Sequence, residues 1–521
     1  MKKIILIALG FFMACNPSKK TVAQEKTTAV TEKKGSEAYA PGITKEELKE
    51  HLYIYASDEF EGREPGQPGQ KKAIAYLKEQ YEAMGIAAAK SDGDYFQKVP
   101  LEFGTVPEGG ITVNGEDFVI GEHVLAFSEG SGDYDGIIYV GYGIEADNYS
   151  DYEGLDVAGK LHLKKSGEPK NDNGTFVISG TQEASIWSNM SESIGKRSEL
   201  AALKGAKGIL YYDQQNYPRY KQFFDATKKS NRPRMRLASE SANTPVFVLL
   251  DQTSALEIMP NIASSDTAKS FKISIGLNLV NSNNKVDSEN VAAIIRGKTK
   301  PNEYLVISSH LDHIGVNSNG EINNGADDDG SGTVALLEIA EAFKEAEKRG
   351  DGPDRSIVFL HVTGEEKGLL GSKYYTDYEP IFPLSNTVAN LNIDMIGRID
   401  PKRDGDRNYV YLIGSDKLST ELHELSEAVN EKHMQIELDY TYNDENDPNR
   451  FYYRSDHYNF AKNNIPIIFY FNGTHEDYHR PGDTPDKINY DLLQNRAQLG
   501  FHTAWEVANR EERLTVDKAV N

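Results

Sequence analysis

Tyr304-Leu-Val-Ile-Ser-Ser-His-Leu-Asp-His313 begins as an apolar strand and ends in three titratable side chains, and the fold follows from that transition. The run Tyr304 to Ile307 has the length and β-branched content of a strand covered on both faces. Downstream, Thr333 to Lys348 sets Leu336, Ile339 and Phe343 on one face of a helix. The same alternation continues outward, with covered strands at Val291 to Ile295, Ile357 to Val362, Val388 to Ile393, Tyr409 to Ile413 and Ile465 to Phe471, and a helix at Leu418 to His433. Strands alternating with amphipathic helices predict an α/β fold, a mostly parallel sheet flanked by helices.

Toward the N-terminus, Thr44 to Ala89 has a helical pattern broken by the Gly/Pro-rich stretch Gly62 to Gly69 and stopped at Gly85. Residues 113–284 differ. Short apolar runs between turns, such as Gly136 to Gly143, Gly159 to Leu163, Gly205 to Tyr212 and Pro245 to Leu250, predict a mostly β domain inserted into the α/β domain, which then comprises 39–112 and 285–512. No cluster in this block has catalytic spacing.

Residues 1–15 read as an export signal: Lys2 and Lys3, an apolar run from Ile4 to Met13, then Ala14 and the only cysteine of the chain, Cys15. That run is shorter than the roughly 20 residues a bilayer requires. Phe12-Met13-Ala14-Cys15 resembles a bacterial lipobox, with Phe12 where leucine is usual, and this implies cleavage before Cys15 and its lipidation. Residues 16–38 are rich in Lys, Thr, Glu and Ser and predict a flexible linker. The expected address is therefore the bacterial cell envelope, periplasmic or cell surface, with the membrane met only through the lipid anchor. A net charge of -23 and no basic stripe argue against a nucleic-acid partner. With Cys15 lipidated, a metal site would have to use His, Asp and Glu.

Such residues gather in motifs that follow successive predicted strands, the edge at which open α/β sheets bind ligands. They are His310-Leu-Asp312-His313, Gly325-Ala-Asp-Asp-Asp-Gly-Ser-Gly332, Gly364-Glu365-Glu366, Asn392-Ile-Asp394 and His479-Arg-Pro-Gly-Asp-Thr484. Taken singly, an Asp-Gly run is a turn and a Glu pair an exposed helix start. In this succession they offer the imidazole and carboxylate mixture that zinc accepts.

The motifs resemble, in residue type, order and strand context, the di-zinc exopeptidase family that includes bacterial secreted leucine-type aminopeptidases and glutamate carboxypeptidase. The resemblance covers Tyr39 to Arg510 and includes Ser57-Asp-Glu-Phe-Glu-Gly-Arg63 and Tyr95 to Leu101. It implies a phosphorylase/hydrolase-like domain, and the insert resembles a protease-associated domain. It also implies two Zn2+ per chain bridged by Asp328, one completed by His310 and Asp394, the other by Glu366 and His479. Glu365 would be the general base, Asp312 would accept a hydrogen bond from the His310 imidazole, and Tyr478 would donate its hydroxyl to the developing oxyanion. A cis peptide after the bridging aspartate is also implied. Arg454-Ser-Asp-His457 reads either as a segment near the substrate pocket or as a helix N-cap. His313 and His475 are expected to line the pocket without ligating, and His361 to be a packed core histidine.

The activity implied is removal of N-terminal residues from peptide substrates, with Glu365 and Glu366 dividing base and ligand duties. A carboxypeptidase of the same family, a one-zinc glutaminyl cyclase-like enzyme and a noncatalytic peptide-binding receptor are the alternatives.

Overall fold

In a computed structural model the described residues are 34–104, 106–230, 234–238, 245–281 and 284–518. The export signal, Cys15 and the linker up to residue 33 lie outside them. Ser36–Ala38 already form a short 3-10 turn, with Ser36 buried and its hydroxyl 2.7 Å from His502 Nδ1, so the folded part starts a few residues before 39.

Among the described residues the main sheet has ten strands, and its central four, Arg355–Val362, Lys300–His310, Thr387–Ile393 and Ile467–Phe471, are neighbours in that order and all parallel. On one side the sheet continues antiparallel through Asn284–Ile295, Phe96–Gly104 and Arg234–Leu237. On the other, Tyr409–Ile413 runs antiparallel to Ile467–Phe471 and is followed by Glu437–Asp439. The parallel expectation thus holds for the centre that carries the motifs, with antiparallel flanks added.

Side-chain alternation decides how the sheet is covered. Leu305, Ile307, Ile357 and Phe359 share one core with helices Lys45–Tyr55, Pro68–Met84, Gly332–Lys348 and Tyr490–Asn509. Their neighbours Tyr304, Val306, Val358 and Leu360 face the opposite layer, with Tyr375 and Phe460 from helices Leu370–Asp377 and His457–Ala461. Each buried Leu, Ile or Phe contributes roughly 1.5–3 kcal/mol. Gly85 ends Pro68–Met84 in a left-handed conformation, φ 74°, which a β-carbon would disfavour.

His361, inside Arg355–Val362, is a packed core residue as expected: Nε2 meets the Tyr81 hydroxyl at 2.8 Å and Nδ1 the Ser309 hydroxyl at 2.9 Å. Burial pulls its pKa from 6.5 to about 3. The unfolded chain therefore binds this proton and the folded chain does not, so His361 lowers stability as pH falls below 6.5, by about 1.4 kcal/mol per pH unit until about 3. In denaturant titrations at stepped pH, the stability gap between wild type and His361→Gln is expected to narrow by that slope on acidification. A gap independent of pH would mean the wild-type imidazole is charged in the fold.

Among the described residues the inserted block has its own core and three sheets, the smallest being the pair Glu145–Ala146 and Tyr149–Ser150. The six-stranded one runs Lys269–Phe271, Ile137–Tyr139, Leu161–Lys165, Gly208–Tyr212, Val246–Leu250 and Val124–Ala126. The four-stranded one includes Glu108–Val113, so the block begins before residue 113. Helices Met190–Leu203, Tyr217–Ser230 and Gln252–Ile258 make it more helical than the sequence suggested. Nor is it self-contained, because Arg234–Leu237 joins the main sheet and Arg236 Nε pairs with Glu102 at 2.8 Å. None of the described helices is long and apolar enough to cross a membrane.

Candidate metal centre

All five motifs meet at the C-terminal edge of the parallel strands. His310 ends Lys300–His310, Glu365 and Glu366 follow Arg355–Val362, Asp394 follows Thr387–Ile393, and His479 lies in the loop after Ile467–Phe471. Asp328 stands in the turn Ala326–Ser331 that opens Gly332–Lys348, and the Asp328-Asp329 peptide is cis, as the resemblance implied.

The two carboxylate oxygens of Asp328 face different partners. Oδ1 lies 3.2 Å from His310 Nε2, which is also 3.5 Å from Asp394 Oδ1. Oδ2 lies 3.2 Å from His479 Nε2, which is 3.0 Å from Glu366 Oε2. The structure thus brings together all five side chains proposed as ligands, with Asp328 between the two pairs. Among the described residues, buried Asp328 Oδ2 and Glu366 Oε1 have no hydrogen-bond partner. Ligand-type atoms of His310, Asp328 and Asp394, and those of His313, Asp328 and Glu366, converge within 4.8 Å in each group. Nitrogen and carboxylate oxygen at this spacing, with acceptors left unsatisfied, fit divalent cations of the zinc type.

The carboxylates set the electrostatics. Burial opposes ionisation of Asp328, yet His310, His313 and His479 hold it well below the usual carboxylate range. Burial likewise opposes a charge on His479, but Asp328 and Glu366 outweigh it and hold the imidazole at about 10. Glu365 is different: burial, reinforced by Glu366 and Asp456, holds it well above the usual range against the pull of His310. Its side chain lines a small pocket with Asp328, Asp394, Met395, Arg454 and Tyr478.

Three consecutive aspartates divide three tasks. Asp329 accepts from the backbone N–H groups of His310, Gly332 and Met395, and pins the turn to two strand ends. Asp327 accepts from Gly397 N at 2.7 Å, and Asp483 in turn accepts from the N–H groups of Asp327 and Asp328. Only Asp328 is left to the ligand cluster. Asp394 is oriented by a chain in which Ser455 Oγ donates to its Oδ2 at 2.6 Å and Asn392 Nδ2 donates to Ser455.

Several expectations are corrected. The partner of His310 Nδ1 is the Asp312 backbone carbonyl at 3.0 Å; the Asp312 carboxylate is 3.9 Å away and accepts from Glu365 N–H at 3.2 Å. Asp312 therefore orients both neighbours by different atoms. His475 lies behind the cluster, buried, 3.2 Å from Asp327 Oδ2, and does not line the pocket. His313 is fully buried, 2.8 Å from Glu366 Oε1. Arg454 and Ser455 line the pocket, and the Asp456 side chain caps no helix but bonds Ser372 Oγ at 2.5 Å. Tyr478 lines the pocket with its ring stacked 3.9 Å from that of His479.

Arg63, the last residue of the N-terminal motif, is fully buried and donates to the carbonyls of Tyr55, Leu311, Asn324 and Gly325. It clamps the His310 loop to the Asp328 loop. Asp483 lies within the motif that begins at His479, while Ser308 and Asn390, behind Asn392, carry no sequence signal beyond being polar inside apolar strands.

Residues 290–504 match the family model described as Peptidase family M28. Aminopeptidase YwaD of Bacillus subtilis (strain 168) is 27% identical over 241 residues, covering 43% of this chain and 46% of the relative. A probable glutamate carboxypeptidase LAMP1 of Arabidopsis thaliana is 35% identical over 106 residues, 20% of this chain and 14% of the relative. The chain thus spans less than half the length of these curated relatives. A solved aminopeptidase from Aneurinibacillus sp. strain AM-1 aligns over 93% of this chain and 99% of its own, at 20% identity and a TM-score of 0.46. The segment that matches this family model, 290–504, holds both halves of the cluster around Asp328.

Proposed function

We propose that the protein is an exported metal-dependent exopeptidase, an aminopeptidase that releases N-terminal residues from peptides with two zinc ions bridged by Asp328. The observation that carries this reading is the division of the Asp328 carboxylate, one oxygen toward His310 and Asp394 and the other toward Glu366 and His479. Bound there, the metal pair would supply an acidified water and polarise the scissile carbonyl. Glu365, on the pocket wall and outside both ligand groups, takes the nucleophile's proton at its carboxylate and returns it to the leaving amine. Tyr478, on the same wall, offers its hydroxyl to the oxyanion. Phe451, Phe469, Phe471 and Met395 give the substrate side chain an apolar seat.

One observation favours the carboxypeptidase alternative: Arg454 also lines the pocket, its guanidinium over the Phe451 ring at 4.9 Å, and an arginine there can hold a free carboxylate. A release assay on free, N-acetylated and C-amidated peptides, with a chelator control and elemental analysis, separates the readings. Hydrolysis should need a free amine, be lost to chelator, and track two zinc per chain. Dependence on a free carboxylate would reverse the terminus, and full activity with one zinc would remove the bridged arrangement.

The address belongs to the same proposal: a lipid anchor at Cys15 in the cell envelope, supported by the placement of the one cysteine. Cys15→Ser is expected to move the protein from the membrane fraction to soluble or unprocessed forms. Normal processing with membrane retention would refute the anchor.

A further inference from the structure

We propose that His313 is a third histidine ligand, joining Glu366, His479 and the Oδ2 edge of Asp328 around the second metal position. This rests on the two-metal reading above and adds to it a residue that the resemblance does not assign. His313 is fully buried, and its Nδ1 lies 2.8 Å from Glu366 Oε1 and 3.8 Å from Asp328 Oδ2. Yet Nδ1 and Glu366 Oε1 are not aligned for a hydrogen bond, and among the described residues these two atoms, His313 Nε2 and Asp328 Oδ2 have no hydrogen-bond partner, although His479 Nε2 stands 3.2 Å from Oδ2. A buried imidazole whose purpose was to orient Glu366 would aim its N–H at the carboxylate. Here nitrogen and oxygen stand side by side.

That arrangement is what neighbouring ligands of one ion adopt. With metal–ligand bonds of about 2.0–2.1 Å in tetrahedral geometry, ligand atoms are roughly 3.3 Å apart. The separations around this position, 2.8 Å from His313 to Glu366 Oε1 and 3.8 Å to Asp328 Oδ2, and 3.0 Å from His479 to Glu366 Oε2 and 3.2 Å to Asp328 Oδ2, bracket that value, and the ligand atoms of His313, Asp328 and Glu366 converge within 4.8 Å. The imidazole is also held from behind. Gly325 has φ 55°, and a β-carbon there would stand 2.5 Å from His313 Cγ, so the loop is shaped to let the ring sit against its backbone. The rings of His313 and His479 meet edge to face, centroids 5.8 Å apart, on two sides of the Glu366 carboxylate.

The consequence is an asymmetric pair. The first position has three protein ligands, His310, Asp328 and Asp394, and keeps room for another group, as catalytic zinc sites do. The second, where His313, Asp328 and Glu366 converge and His479 stands beside them, has one protein ligand more and should hold its ion more tightly.

The decisive measurement is a crystal structure of the zinc-loaded protein with anomalous maps at the zinc edge. His313 Nδ1 is expected about 2.0–2.1 Å from the second ion. Two zinc peaks with Nδ1 beyond bonding distance and hydrogen-bonded to Glu366 would overturn the proposal and leave the two-metal reading standing; a lone peak would overturn both. In solution, His313→Ala should weaken the tighter zinc, measured in chelator-buffered titrations, by more than the roughly 10–100-fold that loss of an outer-shell partner costs. Unchanged affinity in a folded variant would also overturn it. Should the variant fail to fold, the wild-type crystal still decides.

Discussion

Glu365→Gln is expected to cut peptide turnover by at least roughly 10² to 10⁴-fold while leaving zinc content near wild type. The amide keeps the size and shape of the side chain but cannot accept a proton. Glu365 belongs to neither group of converging ligand atoms, so no metal contact is removed. Glu366→Gln is expected to behave differently, since its carboxylate oxygens lie 2.8 Å from His313 Nδ1 and 3.0 Å from His479 Nε2. Loss of that anionic ligand should release one metal and activity together. Purified variants compared for zinc stoichiometry and hydrolysis test the division. Equal metal loss in both, or full activity in Glu365→Gln, would exchange or erase the two roles.

The second large effect is placed far from the ligands in sequence. Arg63→Met removes the donors that satisfy four backbone carbonyls and the guanidinium that lies 4.7 Å from the Tyr55 ring. Leu311 keeps the Tyr55 hydroxyl and Gly325 the Gly330 N–H as donors, so the Tyr55 and Asn324 carbonyls are the ones left unsatisfied; at about 1–3 kcal/mol each, a loss of about 2–6 kcal/mol is expected in denaturant unfolding. Because the clamp joins the loop after His310 to the loop before Asp328, metal affinity should fall as well. Arg63→Lys should rescue little, since an ammonium on a flexible stem cannot span all four carbonyls. Wild-type stability and zinc affinity in Arg63→Met would show that the loops hold each other without it.

The strands that carry the motifs were legible because each is a short run of β-branched and apolar residues buried on both faces. Phe96–Gly104 carries no such signal: its burial alternates, and Lys98, Pro100 and Glu102 interrupt the apolar run. Arg234–Leu237 was hidden for a related reason. Its place at the sheet edge is fixed by pairing with residues 101–104, and four residues with two arginines carry no periodicity.

The ligand set was legible through resemblance in type and order, since metal chemistry restricts which side chains can stand at those strand ends. Sequence by itself determined the α/β alternation, the motif order and the candidate ligands, because periodicity and residue chemistry are local properties. Tertiary structure alone decided which identical side chains do which work: Asp327 and Asp329 pin backbone while Asp328 faces both ligand pairs, and His475 pairs with Asp327 while His313 meets Glu366. The physical reason is that a carboxylate or imidazole has the same composition wherever it stands. Its role is set by the direction of its lone pairs and the donors it meets, and those come from residues hundreds of positions apart, such as Arg63 and Gly325.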